Sequence, residues 1–367
     1  MPATTIDCSS ARSLRKATQR AAKLLKAGRL VVFPTETVYG VAASAASPQA
    51  IQRLRDVKNR ADDQPFSVHL PEPDHIARYV DLENQPTLRR LVRKTLPGPV
   101  TFIVTVSDDV IVERLDQLGF APDDHQRLYH QNTIGLRCPD QPVGQALLGC
   151  VDAPIVATSA NQTGQPPATD AATAAAALGD AVDLVLDGGS ARHARASTIL
   201  RVDGSDVTVI REGVIDQRYL DKLLRRTVLF VCSGNTCRSP MAAALARTDL
   251  NDPRIDVISA GVFAGSGSPM SDDARRAVEQ LGVDPGAHRS QALTPELLAQ
   301  ADVVFGMTQS HVAAAHQMSP ASADKIKLLD ADGADIDDPI GAGLDMYVEC
   351  ATRIRTLTQQ RLNDLTW

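Results

Sequence analysis

Residues 227–246 read TVLFVCSGNTCRSPMAAALA. They set the fold of the C-terminal part of the chain. Val228-Leu229-Phe230-Val231 is a short continuous apolar run, as in a fully buried parallel strand. It enters the loop Cys232-Ser233-Gly234-Asn235-Thr236-Cys237-Arg238-Ser239-Pro240, and an Ala-rich helix follows. Ser239 is expected to cap that helix, with Pro240 at its first position. Strand, loop and helix in this order open an α/β domain. The preceding segment 216–226, DQRYLDKLLRR, is polar and helix-prone, so it reads as a linker and the boundary falls near residue 226.

A loop at a helix N-terminus offers converging N–H groups and the positive end of the helix dipole to an anion. The same field favours the thiolate of a cysteine placed there. Arg238 can return its planar fork across the loop to phosphate oxygens. Gly234 is expected to let the backbone turn, and Asn235 to accept a left-handed conformation. These are the parts that phosphoryl transfer to cysteine needs, apart from an acid for the leaving group. Asp338, in the loop-like ADGADIDDPIGAG (331–343), is the candidate acid.

The segment resembles the low-molecular-weight protein phosphatases, whose signature is Cys-x5-Arg-Ser-Pro near the domain start and Asp-Pro near its end. The resemblance covers 227–367 and includes SAGVFAGSGSPMSDDA (259–274), AHRSQALT (287–294) and ADVVFGM (301–307). It implies a small doubly wound parallel-sheet domain that needs no cofactor. It also implies that Cys232 attacks phosphorus while Arg238 and the loop 233–237 hold the oxygens. Asp338 would protonate the leaving group and then activate water, and Ser239 would stabilise the thiolate. Ser233, Gly234, Asn235, Thr236 and Cys237 complete the implied phosphate loop. Tyrosine-directed members usually carry an aliphatic residue at the position of Thr236 and an aromatic one at that of Ile340. The protein-arginine phosphatases resemble this chain in carrying Thr. Both positions favour phosphoarginine, with phosphotyrosine as the alternative. Cys237 either protects Cys232 through a reversible disulfide or is a small buried residue. Zinc on Cys232 and Cys237 would need two further ligands, and only Cys350 remains downstream.

The N-terminal part carries GRLVVFPTETVYGV (28–41), Lys58-Asn59-Arg60, QPFSVHL (64–70), LPGPVTFIV (96–104) and GLRCPDQPVG (135–144). ATSANQTGQPPAT (157–169), DGG (187–189), ASTIL (196–200) and IREG (210–213) follow. Hydroxyls, amides and the basic groups Lys58, Arg60, Arg137 and Arg211 can hold phosphates together with a carboxylate. No Walker or Rossmann glycine loop is present.

The order of these motifs resembles the YrdC/Sua5 threonylcarbamoyl-AMP synthases over about residues 10–215. The resemblance implies a YrdC-like twisted mixed sheet with helices. The substrates would be L-threonine, bicarbonate and ATP, with Mg²⁺ on the phosphates and pyrophosphate released. The product would serve the modification of adenosine 37 in tRNA through a downstream threonylcarbamoyl transferase. Threonine would contact Thr37, His69, Arg137 and Ser197. ATP would contact Arg60, Gln64, Thr133, Ser159 and Arg211, with Lys58 and Asn161 in support. Ala61, Gln64, Ala194 and Ala196 depart from the family pattern and bear on fine geometry.

Composition agrees with two soluble modules. The chain has 367 residues, 43% hydrophobic and 22% charged, which suggests two domains. Aromatic residues are 4%, which argues against stacking platforms for nucleic acid. The net charge of −6 is uneven, because from residue 227 onward 11 Lys+Arg stand against 18 Asp+Glu. The near-neutral remainder lacks a nucleic-acid footprint. This disfavours the rival reading of the first half as a non-catalytic RNA-binding module. No apolar run reaches the length of a membrane span. The segment MPATTIDCSSARSLRK lacks a signal-peptide core. Six cysteines in so long a chain suggest a reducing cytoplasm and no disulfide framework. The expectation is a bifunctional cytoplasmic protein, binding phosphorylated proteins at its second site, with no protein-held metal and no membrane partner.

Overall fold

The computed structural model describes residues 3–59, 65–252 and 254–363. The chain divides between Leu220 and Asp221 into two compact units.

The first unit is built on one mixed sheet. Its strands are β1 (Thr4–Asp7), β2 (Val31–Phe33), β3 (Gly40–Ser44), β4 (Ser67–His69), β5 (Val100–Thr105), β6 (Thr133–Arg137), β7 (Ile155–Ser159), β8 (Leu184–Asp187), β9 (Thr198–Asp203) and β10 (Asp206–Arg211). The spatial order is β1-β8-β2-β3-β7-β4-β6-β5-β9-β10.

Helix Ala11–Lys26 covers one end of this sheet. Ser10 and Ser13 form a reciprocal capping box, which satisfies two of the orphan donors of the first turn. Gly28, at φ +72°, ends the helix as its position requires. Ala17, Ala21 and Leu25 recur at helical spacing and pack on Val31, Phe33, Leu184 and Leu186. Leu25 is fully buried, so Leu25→Ala would cost about 2–5 kcal/mol.

Register places polar groups in a row across the middle of the sheet. His69 pairs with Arg137 between β4 and β6. Arg137 pairs with Thr101 on β5, and Thr101 with Ile199 on β9. Cross-strand partners share a face, so these four side chains line one cavity wall. The β9–β10 register shifts between Val209 and Arg211, which puts Arg211 opposite Ile199. The chain then passes so close that a Cβ on Gly213 would lie 2.3 Å from Ala196 O.

The expected linker is largely helix Gln217–Leu224.

The second unit has a four-stranded parallel sheet of β11 (Arg226–Cys232), β12 (Ile255–Gly261), β13 (Val303–Gly306) and β14 (Ile326–Leu328), ordered β12-β11-β13-β14. Alternation along β11 sends Leu229 and Val231 into a core with Val304, Leu298 and Ala315. Phe230 stacks with Phe305, centroids 5.8 Å apart, and Arg361 of helix Leu344–Asn363 lies over the Phe305 ring. Helices therefore cover both faces, as in a doubly wound sheet. Neighbours diverge on either side of β11, so Cys232 stands at the carboxyl end of the strand where ligands bind such sheets.

Candidate active sites

The first site is a cavity of about 290 Å³ in the N-terminal unit. Thr35, His69, Arg137, Ser159, Ser197 and Arg211 are among its lining residues, with Asn161 at its edge. Arg137 is anchored from one side. Its Nη2 donates to Thr35 Oγ1 at 3.2 Å, to Glu36 Oε1 at 3.0 Å and to Thr37 Oγ1. Its buried Nε has no partner. Glu36 is itself buried, and its Oε2 accepts from the Asp140 amide at 2.9 Å. One arm of the guanidinium is thus neutralised within the protein.

The surroundings of His69 favour its neutral form. Burial, then the adjacent Arg137 charge, pushes its imidazole down to about 3, although Ser67 O lies 3.0 Å from Nδ1. Ser197 Oγ is 2.9 Å from Thr101 Oγ1. Arg211 donates through Nη2 to Ser197 O at 2.9 Å. Burial, and then Arg137, lowers the guanidinium below its ordinary range. The cavity wall thus holds two guanidinium groups, a neutral imidazole and several hydroxyls, a donor-rich set suited to a small anionic ligand.

Lys58 sits apart from that set. Its ammonium donates to Ser159 O at 2.8 Å, to Asn161 O and to Asn161 Oδ1 at 3.2 Å. It clamps the segment after β7. Thr37 meets Arg137 without lining the cavity. Thr133 stands at the far end of β6, where its hydroxyl donates to His130 O at 2.8 Å, so the cavity does not gather it. Arg60 and Gln64 lie outside the described residues.

The second site follows β11. Helix Arg238–Leu250 begins at Arg238, with Cys237 in the capping position and no side-chain cap. Ser239 is therefore inside the first turn and does not cap it, and Pro240 is not the first helical residue. The Ser239 hydroxyl lies 2.9 Å from Cys232 Sγ and accepts from Asn235 Nδ2 at 2.9 Å. Asn235 takes the left-handed conformation, φ +54°. It donates to Ser259 Oγ at 2.8 Å and accepts from the Gln291 amide at 2.9 Å. Gly234 does not supply the turn, because Asn235 holds the positive φ and a Cβ on Gly234 would meet nothing nearer than 3.5 Å. Gly261 is the glycine that geometry demands, since a Cβ there would lie 2.5 Å from Ser233 O.

Arg238 is 5% exposed. Its Nη1 donates to Ile336 O at 2.9 Å and its Nη2 pairs with Asp338 Oδ2. The buried Nε has no partner. Ser233 Oγ is 3.5 Å from Nη2 and 2.9 Å from His311 Nε2. Thr236 Oγ1 is 3.7 Å from Cys237 Sγ, and Ile340 is 70% exposed. Cys237 is buried, with Tyr347 Oη and Ser271 Oγ each 3.4 Å from its sulfur. All six cysteines are free. Among the described residues no three His, Cys, Asp or Glu side chains gather as a metal site.

The family model described as "Telomere recombination", the Sua5–YciO–YrdC family, matches residues 23–213. A second, the low molecular weight phosphotyrosine protein phosphatases, matches residues 227–366. A putative threonylcarbamoyl-AMP synthase of Mycobacterium tuberculosis is 31% identical over 220 residues, 60% of this chain and 94% of the relative. The chain belongs to the Sua5/YrdC family. Its C-terminal part belongs to the low-molecular-weight phosphatases, and a protein-arginine-phosphatase of Geobacillus stearothermophilus is 38% identical over 134 residues, 35% of this chain and 89% of the relative. A solved variant of Pyrococcus abyssi Sua5 is similar in fold, with a TM-score of 0.51, 18% identity, and coverage of 89% of this chain and 98% of that one.

Five polar lining residues of the Sua5/YrdC cavity carried no signal in the motifs: Thr35, Tyr39, Ser67, Thr101 and Thr158. Ser67 was legible in principle, because it shares the face of His69 two residues on. Thr101 was not, since only the β5–β6 register sets it against Arg137. In the phosphatase unit the missed residue is His311, whose surroundings, GMTQSHVAAA, carry no local signal for the phosphate loop.

Proposed function

We propose that the chain is a bifunctional enzyme. The N-terminal unit, about residues 10–215, forms L-threonylcarbamoyl-AMP from L-threonine, bicarbonate and ATP with release of pyrophosphate. The observation that carries this is the half-neutralised Arg137 beside neutral His69 in a small polar cavity. A threonine carboxylate can take the free side of that guanidinium beside Ser197, while Thr37 holds the guanidinium from the anchored side. The carbamate formed on the amine would then attack the α-phosphate. Arg60, Gln64, Ser159 and Arg211 hold the nucleotide in this reading, Thr133 drops out of it by its place at the far end of β6, and Lys58 and Asn161 hold the loop. Rate comes from placement and charge neutralisation. Magnesium would enter with the nucleotide's phosphates. A transferase acting on position 37 of tRNA consumes the product.

The C-terminal unit, residues 227–367 beyond the connecting segment 216–226, removes phosphate from phosphoarginine in proteins. Cys232 forms the phosphocysteine, Arg238 with the loop 233–237 holds the oxygens, and Asp338 serves as acid and then base, without a cofactor. Thr236 and the absence of a ring at Ile340 favour arginine over tyrosine.

Among the described residues no helix is long and apolar enough to cross a membrane, and six free thiols suit the cytoplasm. Threonine- and bicarbonate-dependent pyrophosphate release tests the first activity; its absence, or no change in Arg137→Ala, overturns it. For the second, phosphoarginine and phosphotyrosine turnover are compared in wild type and Thr236→Ile. A ratio that does not move removes Thr236 as selector.

A further inference from the structure

His311 lies on helix Gln309–Met318, which follows β13, the neighbour of β11. It is 4% exposed and bonded at both ring nitrogens. Nδ1 is 2.8 Å from Thr308 Oγ1, and Nε2 is 2.9 Å from Ser233 Oγ in the phosphate loop. Ser233 Oγ is in turn 3.5 Å from Arg238 Nη2, the nitrogen that pairs with Asp338.

A guanidinium only donates. Ser233 Oγ is therefore the acceptor for Nη2, and its own proton can go to His311 Nε2. We propose that His311 is a positioning residue of the phosphatase: it accepts the Ser233 hydroxyl proton through Nε2, donates through Nδ1 to Thr308, and so keeps the Ser233 oxygen turned toward Arg238. This rests on the phosphatase reading above. In the resting site Nη2 is shared between Asp338 and Ser233. Asp338 must give up Arg238 to carry a proton to the leaving group. Ser233 then keeps the guanidinium in place over the loop after Asp338 has let it go.

The charged groups facing His311 are Arg238, Asp335 and Asp338. Burial and then Arg238 push the imidazole down to about 4, against the two carboxylates. The neutral form, which an acceptor needs, is thereby favoured. Protonation would turn Nε2 into a donor and reverse the Ser233 hydroxyl.

The test is a double-mutant cycle on the full chain, with p-nitrophenyl phosphate as substrate. His311→Phe and Ser233→Ala should each lower kcat about tenfold, the scale of one directed hydrogen bond, with a smaller change in KM. The double variant should be no slower than the slower single variant, and His311→Gln should recover most of the loss. Losses that multiply in the double variant, or wild-type kcat in either single one, overturn the proposal. If His311→Phe does not fold by circular dichroism, Ser233→Ala alone still decides, because wild-type kcat there overturns it. Failure of the phosphatase reading looks different: wild type would then show no turnover that Cys232→Ser abolishes.

Discussion

The Ser239 hydroxyl lies 2.9 Å from the Cys232 sulfur and receives a hydrogen bond from Asn235 Nδ2. That bond occupies a lone pair, and the single hydroxyl proton has two acceptors in reach, Ala260 O at 3.3 Å and the Cys232 sulfur; a thiolate there is the stronger acceptor and draws it. Ser239→Ala should slow alkylation of Cys232 by iodoacetamide and lower kcat about 10- to 100-fold, the range for a hydrogen bond to a charged group. Cys232→Ser should abolish phosphatase turnover. Unchanged alkylation in Ser239→Ala would remove the hydroxyl from the nucleophile's activation.

Arg137 and Glu36 form a buried ion pair, with side chains 8% and 1% exposed. Removing one partner of such a pair leaves a buried charge uncompensated. Glu36→Ala should therefore destabilise the N-terminal unit by about 3–5 kcal/mol, measured by urea unfolding. Arg137→Lys keeps the charge but loses the fork. It should raise the KM for threonine more than that for ATP, in steady-state pyrophosphate release.

His69 links stability to pH. Its imidazole is held at about 3 in the folded protein against an ordinary 6.5. Below about 6.5 the unfolded chain takes up a proton that the folded chain refuses. Stability from this group is complete above that pH and falls away as the pH drops toward 3. His69→Gln should flatten the loss between pH 6.5 and 4 in unfolding midpoints of the N-terminal unit. An unchanged slope would remove His69 as its cause.

Ala194 is exposed and holds φ +48°, a left-handed conformation that costs an L-residue about 1–2 kcal/mol. Ala194→Gly should release the strain, offset in part by glycine's larger chain entropy. The expected gain is about 0.5–1 kcal/mol, read as a rise of a few degrees in the thermal midpoint.

Much of this was legible because its causes are local. Ser10 caps helix Ala11–Lys26 and Asp170 caps helix Ala171–Leu178 by reaching backbone three residues away, and Gly28 ends the first of them with a left-handed backbone. Where the reading missed, a nonlocal partner had won. Ser239 was expected to cap a helix, but its hydroxyl turns to Cys232 and Asn235. Gly234 was expected to make the turn; Asn235, expected to accept the left-handed conformation, makes it alone. Asn235 can hold that conformation because its side chain is satisfied by Ser239, Ser259 and Gln291.

Two modules, the strand–loop–helix around Cys232 and several side chains of the cavity wall, His69, Arg137, Ser197 and Arg211 among them, can be read directly from the residues. Those follow from hydrophobic periodicity and turn chemistry, which act over a few residues. Only the tertiary structure decided which groups meet. Strand order sets Arg238 against Asp338 and Ser233 against His311, and register sets His69, Arg137 and Thr101 in one row. It also took Lys58 and Thr133 away from the cavity wall. The physical reason is that a side chain's partner is fixed by the packing of whole elements, and no short window of sequence contains that packing.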